Sequence, residues 1–130
     1  MARFRAILGL LGGLILILSS GAHSFLGWKR LSAELAAVPV PPPLFLNVKV
    51  AWLFGGVAMF VLGIILVALF ARRLQRVPVS GMPALVTGVA YVAFGAWGIL
   101  ASGNLFFLIF VVPGVLLSLA APGGGGAATV

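Results

Sequence analysis

Four apolar runs decide what this chain can fold into: Phe4 to about Trp28, Phe45 to Phe70, about Met82 to Ala101, and about Leu105 to Ala120. A helix rising about 1.5 Å per residue needs some 20 such residues to cross the roughly 30 Å hydrocarbon layer of a bilayer. In lipid the backbone must satisfy its own N–H and C=O groups, so runs of this length are expected as helices. The 130 residues are 63% hydrophobic and 7% charged, whereas about a quarter of the residues in a soluble domain are charged. The expected fold is therefore all-α: an integral membrane four-helix bundle, with residues 1–130 forming one transmembrane domain.

The connections differ in kind. Between the first two runs, Leu31, Leu35 and Val38 recur at helical spacing beside Arg30 and Glu34, an i, i+4 pair of opposite charge. Residues 29–44 are thus expected as a short interfacial helix followed by a stiff polyproline segment at Pro39-Val-Pro-Pro-Pro43. The stretch Ala71–Gly81 is basic. Ser102-Gly103-Asn104 is short enough to make the last two runs an antiparallel hairpin. Pro113-Gly114 predicts a kink in the fourth run, because proline removes a backbone donor and crowds the preceding turn. The tail from Pro122 to Val130 has nothing to bury and is expected to be mobile. The basic start, apolar core and Ser20-Gly21-Ala22 also fit a signal peptide, but the apolar character continues to Trp28 and favours a retained span.

Eight Lys and Arg against one acid give a net charge of +7. In a soluble protein that balance would suggest nucleic acid. Here the cations all lie at run ends or in connections, where they orient a membrane protein, and no nucleic-acid partner is expected. Arg3, Arg5, Arg72, Arg73 and Arg76 fall on one side, and Lys29, Arg30 and Lys49 on the other. The positive-inside rule then places both ends in the cytoplasm of a bacterium, in a multi-pass inner-membrane protein, with Trp28, Trp52 and Trp97 toward the outer interface. Without cysteine there is no thiolate metal site and no dithiol chemistry.

Small residues recur at helix-packing intervals: Gly9, Gly13, Ser20 and Gly27 in the first run; Ala51, Gly55 and Ala58, with Gly56 and Gly63 alongside, in the second; Ala84, Gly88, Gly95 and Gly98 in the third. Lipid-embedded helices associate through such faces because small residues let backbones approach. Two uses follow. The stripes pack the four helices on one another, or one stripe is left for a partner subunit or a second copy.

His23 is the sole histidine and lies well inside the first run. An ionisable group in that position is costly unless paired or hydrated, which makes it a functional candidate. Three roles are open: a neutral imidazole bonded to Ser19, Ser20 or a facing carbonyl; a proton-handling or substrate group; or an axial ligand to a haem or chlorophyll-type metal, with Ser19 and Gly27 leaving room for a flat macrocycle. Asn47, Lys49, Trp52, Tyr91 and Asn104, with Thr87, join His23 as candidates to line a shallow outward cleft for a lipid headgroup, quinone or small anion.

Glu34 sits in a connection, so the intramembrane carboxylate of small proton-coupled exporters is missing. The third run lacks the threonine-rich broken helix of small fluoride channels. No carboxylate pair, metal-ligand cluster or phosphate loop supports catalysis, and no enzymatic activity is expected. Gly21-Ala-His-Ser-Phe-Leu-Gly-Trp28 and Ala51-Trp-Leu-Phe-Gly-Gly-Val-Ala-Met59 resemble small bacterial four-span membrane proteins of unknown function. They are also loosely similar to the DoxX-like family, whose second helix often carries a Gly-Gly pair. That family has an acid just before the pair, where Ala51 and Trp52 stand here, so the resemblance implies only the four-helix membrane fold. The expected function is that of a small accessory or structural subunit, packing through its glycine-rich faces in the bilayer with other subunits or itself. The rival is a protein that handles a lipid, quinone, ion or porphyrin around His23 and Lys49.

Overall fold

The computed structural model describes residues 1–122, so the expected mobile tail lies almost wholly outside the described residues. Within them the chain is helical, with no strand. Helix α1 (Ala2–Gly21) passes through a π-helical segment, Ala22–Gly27, straight into α2 (Trp28–Ala36). After a turn, α3 runs from Pro42 to Leu74, α4 from Met82 to Ser102, and α5 from Leu108 to Ala120 behind a single 3-10 turn, Leu105–Phe107. Three helical stretches are long and apolar enough to cross a membrane: Ala2–Ala36, Pro42–Leu74 and Met82–Ser102. Leu105–Ala120 is apolar but shorter.

Two boundaries differ from expectation for a backbone reason. Residues 28–36 are not a separate interfacial helix but the continuation of the first one, because nothing between Trp28 and Ala36 stops helical hydrogen bonding until Pro39 arrives. The polyproline segment shrinks to its first residues. Pro41 is extended, with φ −58° and ψ 138°, and Pro42 and Pro43 open α3, where a missing N–H leaves no bond unmade. Pro113 lies inside α5 without interrupting it. The expected hairpin between α4 and α5 is present: Gly103 takes the left-handed conformation, φ 65°, and its N–H closes on Ile99.

The helices pack in the order α3, α1, α5, α4, and α3 and α4 make at most marginal contact. They form an open row rather than a closed ring. Its buried core comprises Ala6, Leu16, Leu66, Phe70, Ala84, Leu117, Ala120 and Ala121, most of it at the end where α1 begins and α3 stops. Glycines set the spacing within the row. A methyl group at Gly13 would lie 3.2 Å from the Gly63 carbonyl oxygen, and one at Gly88 2.7 Å from that of Gly114. Gly9 faces the Phe70 ring, Gly12 faces Leu117, and Gly95 faces Val111.

Arginines tie off the same end. The Arg73 guanidinium donates to the carbonyls of Ala120, at 2.7 Å, and Ala121, at 3.4 Å, and lies 5.1 Å from the Phe70 ring centre. Arg5 donates to the Pro122 carbonyl at 3.0 Å. Carbonyls at the end of α5 have no intrahelical donors, and cations there also complement the helix dipole.

The two hairpins differ in length. α3 spans about 50 Å and α4 about 31 Å. Because the Arg73 and Arg5 contacts hold one end level, α2 and the first turns of α3 overhang the α4–α5 turn by about 20 Å. The five arginines of residues 3–76 outside α2 gather at the level end, and Lys29, Arg30 and Lys49 at the overhang.

Candidate functional site

The π-helical segment carries His23 to the place where the first hairpin leaves the support of the second. The 20 residues of α1 and Ala22 precede it, about 32 Å of helix, which matches the length of α4. Here His23 stacks on Trp52 of α3, with ring centres 4.3 Å apart and planes 8° from parallel. The contact is reciprocal. The Trp52 indole N–H donates to the His23 carbonyl at 2.8 Å, and His23 Nε2 lies 3.0 Å from the Trp52 carbonyl. A carbonyl only accepts, so Nε2–H is the donor of this bond. A π segment shifts the backbone ladder from i+4 to i+5 partners, and such shifts occur where a side chain inserts against the helix.

Each ring of this pair lies over a glycine of the other helix. A methyl group at Gly27 would come within 2.8 Å of the Trp52 ring, and one at Gly55 within 3.3 Å of His23 Nε2. Next to them Gly56 faces the Ser24 hydroxyl. The Trp52 indole thus lies against His23 and Gly27, two of the three residues of the Ser19, His23 and Gly27 spacing. Of the roles open to His23, the facing carbonyl is the partner found.

The other candidate residues do not converge on it. Lys49 lies over the Trp28 ring, 5.9 Å from its centre, and Trp28 meets Phe45 edge-on at 5.6 Å. Asn47 is exposed on α3. Tyr91, on α4, meets Phe110 of α5 at 5.9 Å and packs against the core. Asn104 caps the 3-10 turn, its Oδ1 accepting from the Phe106 N–H at 2.9 Å. Thr87 is buried on α4. The cleft residues thus divide between two hairpins: Lys49, Trp52 and Tyr91 meet rings, Asn104 caps, Thr87 is buried and Asn47 is exposed. Arg30 and Glu34 form the expected pair at 3.0 Å with both side chains largely exposed. Among the described residues no three His, Cys, Asp or Glu side chains come together as a metal site.

The helix-packing candidates are consumed within the chain. Gly9, Gly13, Gly27, Gly55, Gly56, Gly88 and Gly95 each face a neighbouring helix of the same molecule. Gly21, by contrast, faces open space. Sequence reasoning did not single out Arg73 and Arg76 as more than orienting charges. The signal was the Arg-Arg-x-x-Arg run at the end of α3, a basic cluster with no acid nearby. No family model matches the chain, and neither a curated protein nor a solved structure gives a match.

Proposed function

We propose that this chain is a small non-catalytic subunit of a bacterial inner membrane, with both ends cytoplasmic, that packs against other membrane helices or a second copy of itself. The observation that carries this reading is the overhang. The short hairpin matches the hydrocarbon thickness, so the extra 20 Å or so of the long one reaches the headgroups and beyond. Yet that part of α3 exposes Leu44, Leu46 and Val50, and Phe54 follows at the same helical spacing. Apolar side chains there gain by being covered. The glycine faces are already used, so the contact surface of this proposal is the ridge Leu46, Val50 and Phe54.

A photo-reactive side chain placed at Val50 is expected to capture one species of defined mass in intact membranes, at twice the chain mass for a self-contact. The same group at Val89, an exposed position on α4, should capture none. Equal capture from both positions would contradict a specific contact at the ridge.

One observation favours the rival reading, a ligand site around His23 and Lys49. π-helical turns concentrate at functional positions, and this one presents Nδ1 of a half-buried imidazole. A lipid, quinone, small ion or porphyrin would meet that nitrogen beside Trp52. The histidine variants discussed below separate this reading from packing.

A further inference from the structure

At the level end of the row, Arg3, Arg73 and Arg76 line a cleft of about 580 Å³ together with Met1, Ala2 and Leu74. Three arginines and no acidic residue line it among the described residues. Glu34, the single acid, lies in α2 at the opposite end and is paired with Arg30. Arg73 is pinned in place by the Ala120 and Ala121 carbonyls, and its Nε–H is buried with no partner. Among the described residues its charge is met by backbone carbonyls and the Phe70 ring, with no anion. Like charges lining one cleft repel, and an anion among them relieves that repulsion.

Arg76 adds an independent observation. It terminates α3 in the left-handed conformation, φ 62°, the one non-glycine residue among those described with positive φ. The Val77 N–H returns to the Arg72 carbonyl and the Arg76 N–H to that of Arg73, both at 3.1 Å, which is the Schellman termination. Glycine suits that position, because a side chain there crowds the backbone. A strained residue kept where glycine would relax the turn points to a use for its side chain. That side chain lines the cleft.

Leading away from the cleft, Phe4, Ile7, Leu11, Leu14 and Leu18 run along α1 at alternating steps of three and four, all exposed. They mark the face of α1 that neither α3 nor α5 covers.

We infer that the cleft binds the phosphate headgroup of an anionic phospholipid, held by Arg3 and Arg76 beside the pinned Arg73, with an acyl chain lying along the Phe4–Leu18 face. Basic pockets between membrane helices suit such headgroups, and each cation near them changes affinity about fivefold. The inference rests on the chain being membrane-embedded, but not on the partner ridge.

Native mass spectra of the detergent-solubilised chain, titrated with phosphatidylglycerol or phosphatidylcholine, test it. Phosphatidylglycerol should form an adduct at about tenfold lower concentration or less. Arg76→Gly should weaken that adduct about fivefold while leaving the melting temperature unchanged or higher, and adding Arg3→Gln should bring the loss to about thirtyfold. Lys29→Gln with Lys49→Gln, at the other end, should leave it intact. Equal binding of the two lipids, or an adduct indifferent to the arginine double variant, overturns the inference. Displacement of phosphatidylglycerol by millimolar inorganic phosphate overturns the lipid in favour of a soluble anion. Membrane residence is scored separately, by whether the chain stays in the membrane pellet through an alkaline carbonate wash.

Discussion

Replacing Gly88 by leucine is expected to separate α4 from α5 and to cost about 3 kcal/mol or more. A methyl group at Gly88 already lies 2.7 Å from the Gly114 carbonyl oxygen and 2.8 Å from the Ser118 nitrogen, and the same group at Gly114 lies 2.8 Å from the Gly88 oxygen. These neighbours are backbone. A side chain can rotate out of the way, but a carbonyl on a helix moves only with the helix. Separation then loses the dispersion contacts along the whole pair, which in lipid are the main source of helix association. Gly63→Leu is expected to act the same way between α1 and α3, where the Gly13 oxygen stands 2.9 Å from the added carbon. Gly21 supplies the control. Nothing lies within 4 Å of a methyl group there, so Gly21→Leu should gain up to about 1 kcal/mol from helix propensity. Thermal unfolding in one detergent ranks the three variants. Equal midpoints for Gly88→Leu and Gly21→Leu would mean that the helices do not meet at these glycines.

Trp52→Ala is the second large effect, expected to cost about 3 kcal/mol. It removes the ring stacked on His23, the indole N–H on the His23 carbonyl, and the surface that covers Gly27. Trp52→Phe keeps a ring without the donor and should lose only about 1 kcal/mol. His23→Ala should destabilise less than Trp52→Ala, since the indole keeps its bond to the residue 23 carbonyl, which any amino acid supplies. Because the two side chains touch, their effects should not add. A coupling of about 1 kcal/mol is expected in the double-mutant cycle, read from unfolding midpoints. The ligand-handling reading makes the opposite forecast: His23→Ala leaves the midpoint in place and abolishes a bound molecule.

What could be read from the chain beforehand was whatever depends on residues close in sequence. The run Phe45–Phe70 lies inside α3, and Met82–Ala101 ends one residue before α4 does, because long apolar segments bounded by proline, glycine or arginine leave helices little choice of limits. Ser102-Gly103-Asn104 carried its own turn chemistry. The continuation through Trp28 was less legible, since polar residues such as Lys29, Arg30 and Ser32 change where a helix sits in a membrane without ending it. The His23 and Trp52 pair depends on the register of α1 against α3, which no local pattern reports. Its traces were Gly27 four residues beyond one ring and Gly55 three beyond the other. Asn47, Tyr91 and Asn104 share polarity rather than place, and so they grouped in a sequence and separate in three dimensions. Each glycine stripe was recognisable as a packing face, but its partner was not, and that partner proves to be the same chain. Arg76 shows the limit most clearly, because nothing in its type marks a left-handed residue.

The most direct test of the accessory-subunit proposal is the native mass, with an absorption spectrum, of the chain extracted gently from its own membranes. The proposal predicts a colourless species at the mass of one defined assembly larger than the chain, which falls to monomer when Leu46 and Val50 are changed together to serine. A monomer free of protein partners would contradict it, and a Soret or chlorophyll band lost in His23→Ala would replace it with a ligand site at the π-helical turn.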